Sequence, residues 1–327
     1  MKRIAVIGAG AWGTALALHS ARGGASVQLW ARDPSVRLAS GAMPRLSAYP
    51  LPGAVDVTNE WSVQADMTLV AVPMKHLASV LAQLETTSPL VLCCKGVEPD
   101  SLHFPLDILA AIKPGHRGAV LSGPNFAHEV AAGLPAAAVI AAKEDGLARS
   151  LADMLGTPAF RLYDSTDTIG VQLGGAAKNV IAIAAGVTIG AGLGENARAA
   201  LVTRGLAEIS RLALALGGEA ATVSGLSGMG DLLLTCTGTS SRNFRVGRAL
   251  GEGLSPAEAE AAAGGVAEGV ATSQALTELA RRSQVSVPVM DAVAAIVTGR
   301  ALLNDVIEQL LARPLGPEIK ISNAFSR

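Results

Sequence analysis

Aromatic side chains are scarce: Phe, Trp and Tyr together make up 3% of the 327 residues. Half of the chain is nonetheless hydrophobic, so Ala, Leu, Val and Ile have to fill the core. Ala and Leu are strong helix formers, which tilts the expectation toward helix-rich structure. Cysteine is scarce too. Cys93, Cys94 and Cys236 are too few for a disulfide framework, and with five scattered histidines they offer no zinc-ligand spacing. No metal is expected, and a reducing, cytoplasmic setting fits best. Adjacent Cys93 and Cys94 would point to opposite faces of a strand, as buried packing residues. An excess of one charge sign is also missing, with 26 basic against 27 acidic residues and a net charge of −1. Without a basic run or tail, nucleic acid is not an expected partner. Long apolar runs are short as well. The longest, Val180 to Gly194, falls below the ~20 residues that span a bilayer. The N-terminal run after Lys2 and Arg3 is broken by Gly8, Gly10 and Gly13, so it is not read as a signal segment, and the chain is not expected to span a membrane.

What is present falls into two halves, and the length leaves room for two domains. Up to about residue 165 short strand-like runs alternate with helical ones. Lys2–Gly8, Ser26–Ala31, Asp66–Val72, Leu90–Cys94, Ala119–Leu121 and Ala136–Ala142 read as strands. Trp12–Arg22, His76–Leu84 and Leu102–Ile112 read as helices. This alternation predicts a doubly wound α/β domain over 1–165. After Tyr163 strand-like runs disappear, which predicts an all-α domain over 166–327. Asn196–Leu216 is one of its helices, with Asn196 as cap and Gly217–Gly218 as stop. Leu201, Val202, Leu206, Ile209, Leu212 and Leu216 share its inner face, and Arg204 and Glu208 are spaced to pair on the outside.

The most specific local signal is GAGAWG, with Gly8, Gly10 and Gly13 directly after a strand and at the start of a helix. Gly8 permits the tight turn, Gly10 lets backbone approach a pyrophosphate, and Gly13 lets helix and strand pack closely. The helix N-terminus then presents free N–H groups to phosphate. The motif in this setting predicts a dinucleotide cofactor, NAD(H) or NADP(H). At the end of the second strand Arg32 suits a 2′-phosphate, while Asp33 leaves the unphosphorylated ribose open. The bland alternative is that both are solvated turn residues before Pro34.

In the helical half, Lys178 is the only charged residue between Asp167 and Glu195. A lysine on an apolar helix usually snorkels to solvent. Here Asn179 follows it and the pair Gly174–Gly175 leaves room for something to approach, so a functional amine is expected. Asp231, after three glycines in SGLSGMGD, either holds an ammonium group or caps the helix 232–236. Ser240, Ser241, Arg242 and Asn243 precede a helix over 242–251 and could form a phosphate site. Arg245 and Arg248 on that helix are read as solvated. In the first half Lys95 ends a strand in CCKG, facing the crevice at the carboxyl edge of the sheet. Ser122 to Ala127 (SGPNFA) likewise follows a strand and opens a helix.

Taken in order, GxGxxG, CCKG, SGPNFA, GVQLGGAAKNVIAIAAG, NARAALVTRGLAE, GLSGMGDLLLTC and SRN resemble the bacterial NAD(P)-dependent glycerol-3-phosphate dehydrogenase family over about residues 4 to 300. The resemblance implies an N-terminal Rossmann-type domain, a C-terminal helical domain and a homodimer. It implies interconversion of dihydroxyacetone phosphate and sn-glycerol 3-phosphate, supplying glycerophospholipid synthesis. By motif, Lys178 would be the proton donor and acceptor, with Lys95 and Asp231 as catalytic companions. Gly123, Asn125, Asn179, Thr235, Ser241, Arg242 and Asn243 would join them around the substrate. Gly8, Gly10, Ala11, Trp12, Gly13, Arg32, Lys95, Ala127, Arg242, Val266 and Glu268 would line the cofactor. Two departures stand out: Ala11 occupies a position where Ser is common, and Asn125 one where Thr is frequent. Two rivals remain open. A hydroxyacid or 6-phosphogluconate type of dehydrogenase also pairs such domains around a lysine, and a non-catalytic cofactor sensor would keep the fold without needing Lys95, Lys178, Asp231 and Arg242 together.

Overall fold

A computed structural model describes residues 1–264 and 267–314. Its first half is one eight-stranded sheet in the order β3-β2-β1-β4-β5-β6-β7-β8. The strands are β1 (Arg3–Ile7), β2 (Ser26–Trp30), β3 (Val55–Thr58), β4 (Met67–Val70), β5 (Leu90–Leu92), β6 (Gly118–Ser122), β7 (Ala136–Ala141) and β8 (Phe160–Ser165). Neighbours run parallel except β6 and β7, which pair antiparallel with Val120 opposite Ala141. Helices α1 (Ala11–Arg22), α2 (Leu77–Gln83), α3 (Pro105–Ile112), α4 (Ala127–Ala132) and α5 (Leu147–Leu155) cover its two faces. The strand order reverses at β1 and β4, which opens a crevice at their carboxyl ends where such sheets take ligands. The parallel strands are buried on both faces, so they read as continuous apolar runs rather than alternating ones. Cys93 and Cys94 behave as their adjacency requires: Cys93 packs into the core on one side of the sheet, Cys94 against the core on the other.

Two strands escaped the sequence reading. β3 (VDVT) is short and mostly polar, and β8 (FRLYDS) sits at the sheet edge, where only Phe160 is buried. α3 starts three residues later than expected because Leu102 takes a left-handed backbone (φ 61°) and Pro105 then supplies the first helical position.

The second half is helical: α6 (Thr168–Gly190), α7 (Gly194–Ala215), α8 (Ala220–Val223), a π-helical turn (Leu226–Gly230), α9 (Asp231–Cys236), α10 (Arg242–Gly251), α11 (Pro256–Ala262), α12 (Glu268–Arg282), α13 (Pro288–Val297) and α14 (Leu303–Leu311). α6 is the axis. Asp167 caps it, accepting from the Gly170 amide at 2.8 Å, and its other oxygen accepts from the Glu219 amide at 2.9 Å. Among the described residues α6 is also the one helix long and apolar enough to cross a bilayer, but its most apolar window is 89% buried by the rest of the fold. That burial identifies it as a core helix.

α7 corrects two expectations. It begins at Gly194, so Asn196 lies inside it rather than capping it. Glu208 does not pair with Arg204 on the outside. It is 1% exposed, and its carboxylate accepts from the amides of Val289 and Met290 at 2.8 and 3.2 Å. Those are unpaired donors of the first turn of α13, so Glu208 caps α13 from a neighbouring helix. Spacing alone suggested the Arg204 pair; the docking of α13 overrode it. Burial pushes the Glu208 carboxyl up to about 7, against the two amides and Arg211, which favour its charge.

Candidate functional site

The glycine turn behaves as its sequence requires. Gly8 has φ 113°, and a Cβ there would meet the Ala71 carbonyl oxygen at 2.7 Å. At Gly13 a Cβ would collide with the Gly8 carbonyl, so helix and strand touch backbone to backbone. Gly10 differs: a Cβ would meet nothing within 4 Å. The turn is closed on the protein side and open on the ligand side at Gly10. α1 starts there with no side-chain cap, which leaves its first amides for an anion. This donor set and cradle fit a dinucleotide pyrophosphate, with Ala11 and Trp12 in the first turn. Asp33 is engaged locally. Its carboxylate accepts from the Ser35 amide at 2.9 Å and the Ser35 hydroxyl at 2.6 Å, and these bonds hold its pKa below the usual range. Arg32 beside it is exposed.

The second cluster joins the two halves. Asp231 opens α9 and is fully buried. Its Oδ1 accepts from Nζ of Lys178, and its Oδ2 from Nζ of Lys95 at 2.5 Å. The two readings left open for Asp231 thus resolve in favour of the ammonium partner. Lys178 does not snorkel; it is 8% exposed in the middle of α6. Lys95 follows β5 and also donates to the Gly123 carbonyl oxygen at 3.2 Å. One carboxylate between two ammonium groups leaves a net positive charge in a largely dry site. Burial pushes the Lys178 amine down to about 8; Asp231 opposes that shift and Lys95 reinforces it. A buried ion pair stands only when its remaining polar atoms are satisfied. Here the Thr235 hydroxyl, which donates to the Asp231 backbone carbonyl at 2.6 Å, stands 3.5 Å from Oδ1.

The third element is the start of α10. Ser241 caps it, its hydroxyl accepting from the Phe244 amide at 3.2 Å, so that oxygen is occupied by the protein. Arg242 is exposed at the first helical position. Asn243 is buried and donates to Asn179 Oδ1 at 2.9 Å, while its own Oδ1 accepts from the Gly269 amide at 3.0 Å. This chain ties α6, α10 and α12 together one residue from Lys178. The approach is close because glycines face backbone across the crossing. A Cβ at Gly186 or Gly190 would collide with the backbone of α10, and one at Gly247 or Gly251 with that of α6. Arg245 is not simply solvated: it donates to the carbonyls of Thr239 at 2.6 Å and Ala263 at 3.0 Å. Arg248, read as solvated, lies on the surface and pairs there with Glu252 at 2.8 Å.

The remaining candidates fall into place around these three. Burial raises the Glu268 carboxyl, against the pull of Lys178, Lys95 and Arg242; the first residue of α12 therefore faces the same cations. Gly123 has φ 156°, and a Cβ would meet the Ala138 Cα at 2.7 Å. Asn125 donates Nδ2 to the Ala137 carbonyl at 3.2 Å, while its Oδ1 is buried without a partner among the described residues. Ala127 begins α4. Val266 lies outside the described residues. The room expected at Gly174–Gly175 is taken by protein. A Cβ at Gly174 would meet the Ser227 carbonyl, and one at Gly175 the Ser122 hydroxyl and the Lys95 stem. The Gly269 amide was missed by sequence reasoning, because a backbone donor leaves no residue-type signal. No group of three or more His, Cys, Asp or Glu capable of holding a metal occurs among the described residues.

Comparison with known proteins covers both halves of the chain. Residues 3–148 match the family model for the NAD-dependent glycerol-3-phosphate dehydrogenase N-terminus, and residues 167–308 that for its C-terminus. The chain is 51% identical over 315 residues to glycerol-3-phosphate dehydrogenase (NAD(P)+) of Gluconobacter oxydans, covering 95% of this chain and 97% of the relative. It is 53% identical over 318 residues to the protein of the same name from Acidiphilium cryptum, covering 96% and 98%. Among solved structures, glycerol-3-phosphate dehydrogenase from Coxiella burnetii superposes with a TM-score of 0.89 at 36% identity, covering 95% of this chain and 99% of that one.

Proposed function

The chain belongs to the NAD-dependent glycerol-3-phosphate dehydrogenase family, and from that premise we propose how its residues share the reaction. It is an NAD(P)-dependent oxidoreductase that reduces dihydroxyacetone phosphate to sn-glycerol 3-phosphate and reverses that step. The product serves glycerophospholipid synthesis. The observation that carries the assignment of roles is Lys178, a buried amine on a carboxylate that it shares with Lys95.

The reduced nicotinamide, when bound, supplies the hydride to the carbonyl carbon. Gly8, Gly10 and Gly13 with the first turn of α1, including Ala11 and Trp12, hold its pyrophosphate. Arg32, Ala127 and Glu268 would complete the cofactor surface, and Arg32 suits a 2′-phosphate because Asp33 is engaged by Ser35. Lys178 donates a proton from Nζ to the carbonyl oxygen as it becomes an alkoxide, and takes it back during oxidation. Lys95 adds positive charge where the oxyanion develops. Asp231 orients both amines, and Thr235 braces Asp231. Arg242 and the first α10 amides hold the phosphate, with Ser241 capping the Phe244 amide beside them. Asn179, Asn243, Gly123 and Asn125 shape the pocket around the glycerol carbons. Binding of the remote phosphate then positions the carbonyl.

With the Lys178 amine at about 8, the sign of the pH dependence follows. Reduction needs the protonated amine, so its kcat falls as pH rises through about 8. Oxidation needs the neutral amine and rises over the same window. Lys178→Met is the test. It should fold and bind NADPH while kcat falls by about 10³-fold or more, within the range of lost acid–base catalysis. Near-normal turnover would remove Lys178 from proton transfer. In Arg242→Ala, KM for dihydroxyacetone phosphate should rise by about 100-fold with a smaller change in kcat; an unchanged KM would move the phosphate elsewhere.

Three further readings belong to this proposal. The sheet half, 1–165, serves the cofactor and the helical half, 166–327, carries substrate and proton. The enzyme is a homodimer, supported by a largely apolar groove of about 1280 Å³ along α6, α7, α13 and α14; sedimentation at micromolar concentration tests this. It works in the cytoplasm, supported by three free cysteines, and cell fractionation checks it.

A further inference from the structure

Gly174 and Lys178 are four residues apart on α6, so they share a face one turn from each other. Ser227 and Asp231 have the same spacing across the π-helical turn and the start of α9. The two segments lie in register: Gly174 sits against the Ser227 carbonyl, and Lys178 holds the Asp231 carboxylate. A Cβ at Gly174 would stand 2.6 Å from the Ser227 carbonyl oxygen and 3.0 Å from the Gly228 Cα. Both are backbone atoms, which cannot rotate aside. From the other side, the Val223 carbonyl of α8 fills the space a Cβ on Gly228 would need, and Val223 is fully buried. The turn is therefore clamped between α8 and the bare backbone of α6. π-helical turns are rare and carry an extra residue per turn, so this one sets where the next residue, Asp231, begins.

We propose that Gly174 is a positioning residue for the reaction: its missing side chain lets the π-helical turn dock on α6, and that docking holds Asp231 between Lys178 and Lys95. The proposal rests on the roles given above to Lys178 and Asp231. Among the described residues, the titratable groups facing Lys178 are Asp231 and Cys236 on α9, Lys95 after β5 and Glu268 on α12. Asp231 keeps the proton on Lys178 against burial and against Lys95. Moving Asp231 away therefore lets Lys178 release its proton at lower pH.

The experiment is the pH profile of kcat for Gly174→Ala, run beside Gly205→Ala and Lys178→Met. A Cβ at Gly205 would press on the Ile181 side chain at 2.8 Å, so that variant strains the α6–α7 packing without touching the π-helical turn. Gly174→Ala should lose about 100-fold in kcat, the scale expected for an ångström-sized misplacement. Its NADPH affinity should stay within about two-fold, and its pH midpoint should move down by about half a unit or more. Gly205→Ala should keep the midpoint whatever its melting temperature. A merely structural fault lowers amplitude and leaves the midpoint alone. An unmoved midpoint in Gly174→Ala, or an equal shift in Gly205→Ala, overturns the positioning role. Full turnover in Lys178→Met instead overturns the mechanism on which it rests. If Gly174→Ala does not accumulate as folded protein, Val223→Ala opens a cavity beside the backbone that backs the turn, without adding atoms. It should shift the midpoint in the same direction, with kcat about five-fold lower, and an unchanged profile there overturns the proposal equally.

Discussion

Among the described residues of the helical half, two carboxylates are buried most deeply, and they are satisfied in opposite ways. Asp231 and Glu208 are 0% and 1% exposed. Asp231 meets two ammonium groups from different halves of the molecule. Glu208 meets two backbone amides at the start of α13. Full charges can move protons and bind anions, so the first arrangement is chemical. Amides of a helix terminus are fixed partial charges, so the second is architectural. Burial alone does not tell a catalytic acid from a structural one; the identity of the partner does.

Asp231→Asn should break that contrast most severely. It leaves two buried ammonium groups without their anion, a change of about 3–5 kcal/mol for a broken buried pair. Activity should be lost, and any residual pH profile should shift down because Lys178 gives up its proton sooner. Thermal melts with and without NADPH, read beside kcat, check both. If Asp231→Asn turned over normally, the two carboxylates would be alike after all.

Glu208→Gln should touch stability and leave chemistry alone. The folded pKa of Glu208 is raised from 4.5 to about 7, so the native state binds its proton more tightly than the unfolded chain does. Its contribution is fully present below about pH 4.5 and is lost as pH rises through about 7. The wild-type melting temperature should fall across that window, by at most on the order of 3 kcal/mol of stability. The Gln variant should lack this component of the slope and keep kcat within about two-fold. A parallel pair of Tm curves would show that Glu208 titrates normally.

The smallest effect is expected at Thr235, which serves Asp231 only through a hydroxyl. Thr235→Val removes the bond to the Asp231 carbonyl and should cost about 1 kcal/mol of stability. Its kcat should fall by less than in Asp231→Asn. A rise in KM for dihydroxyacetone phosphate, with stability unchanged, would mean that Thr235 meets substrate rather than Asp231.

The glycine turn and the strands around it were legible in the sequence because their signals are local, even where a constraint such as the Ala71 carbonyl against Gly8 comes from far along the chain. Gly8, Gly10 and Gly13 act within six residues, and a buried parallel strand announces itself by its apolar run. Lys178 and Asp231 were each visible as charges out of place in apolar surroundings. That Asp231 holds an ammonium group was among the readings its position allowed; that it takes Lys178 and Lys95 at once was not, since 136 residues separate Asp231 from Lys95. Glu208 was misread for the same reason: α13 lies 81 residues further on, and nothing in the local spacing points to it. The pair Gly174–Gly175 was recognised as space, but a sequence does not say whether a ligand or another piece of backbone fills it.

The crossing of α6 and α10 has a consequence for how the protein opens. Four glycines bring two backbones together there, and the crossing lies at the heart of the helical core. Amides in the buried middle of α6 lie well inside its ends, so their hydrogen exchange is expected to require the helical half to come apart. Lys178 and Asn179 ride on the same helix. The proton-handling end of the reaction is therefore mounted on the segment that surrenders its structure last.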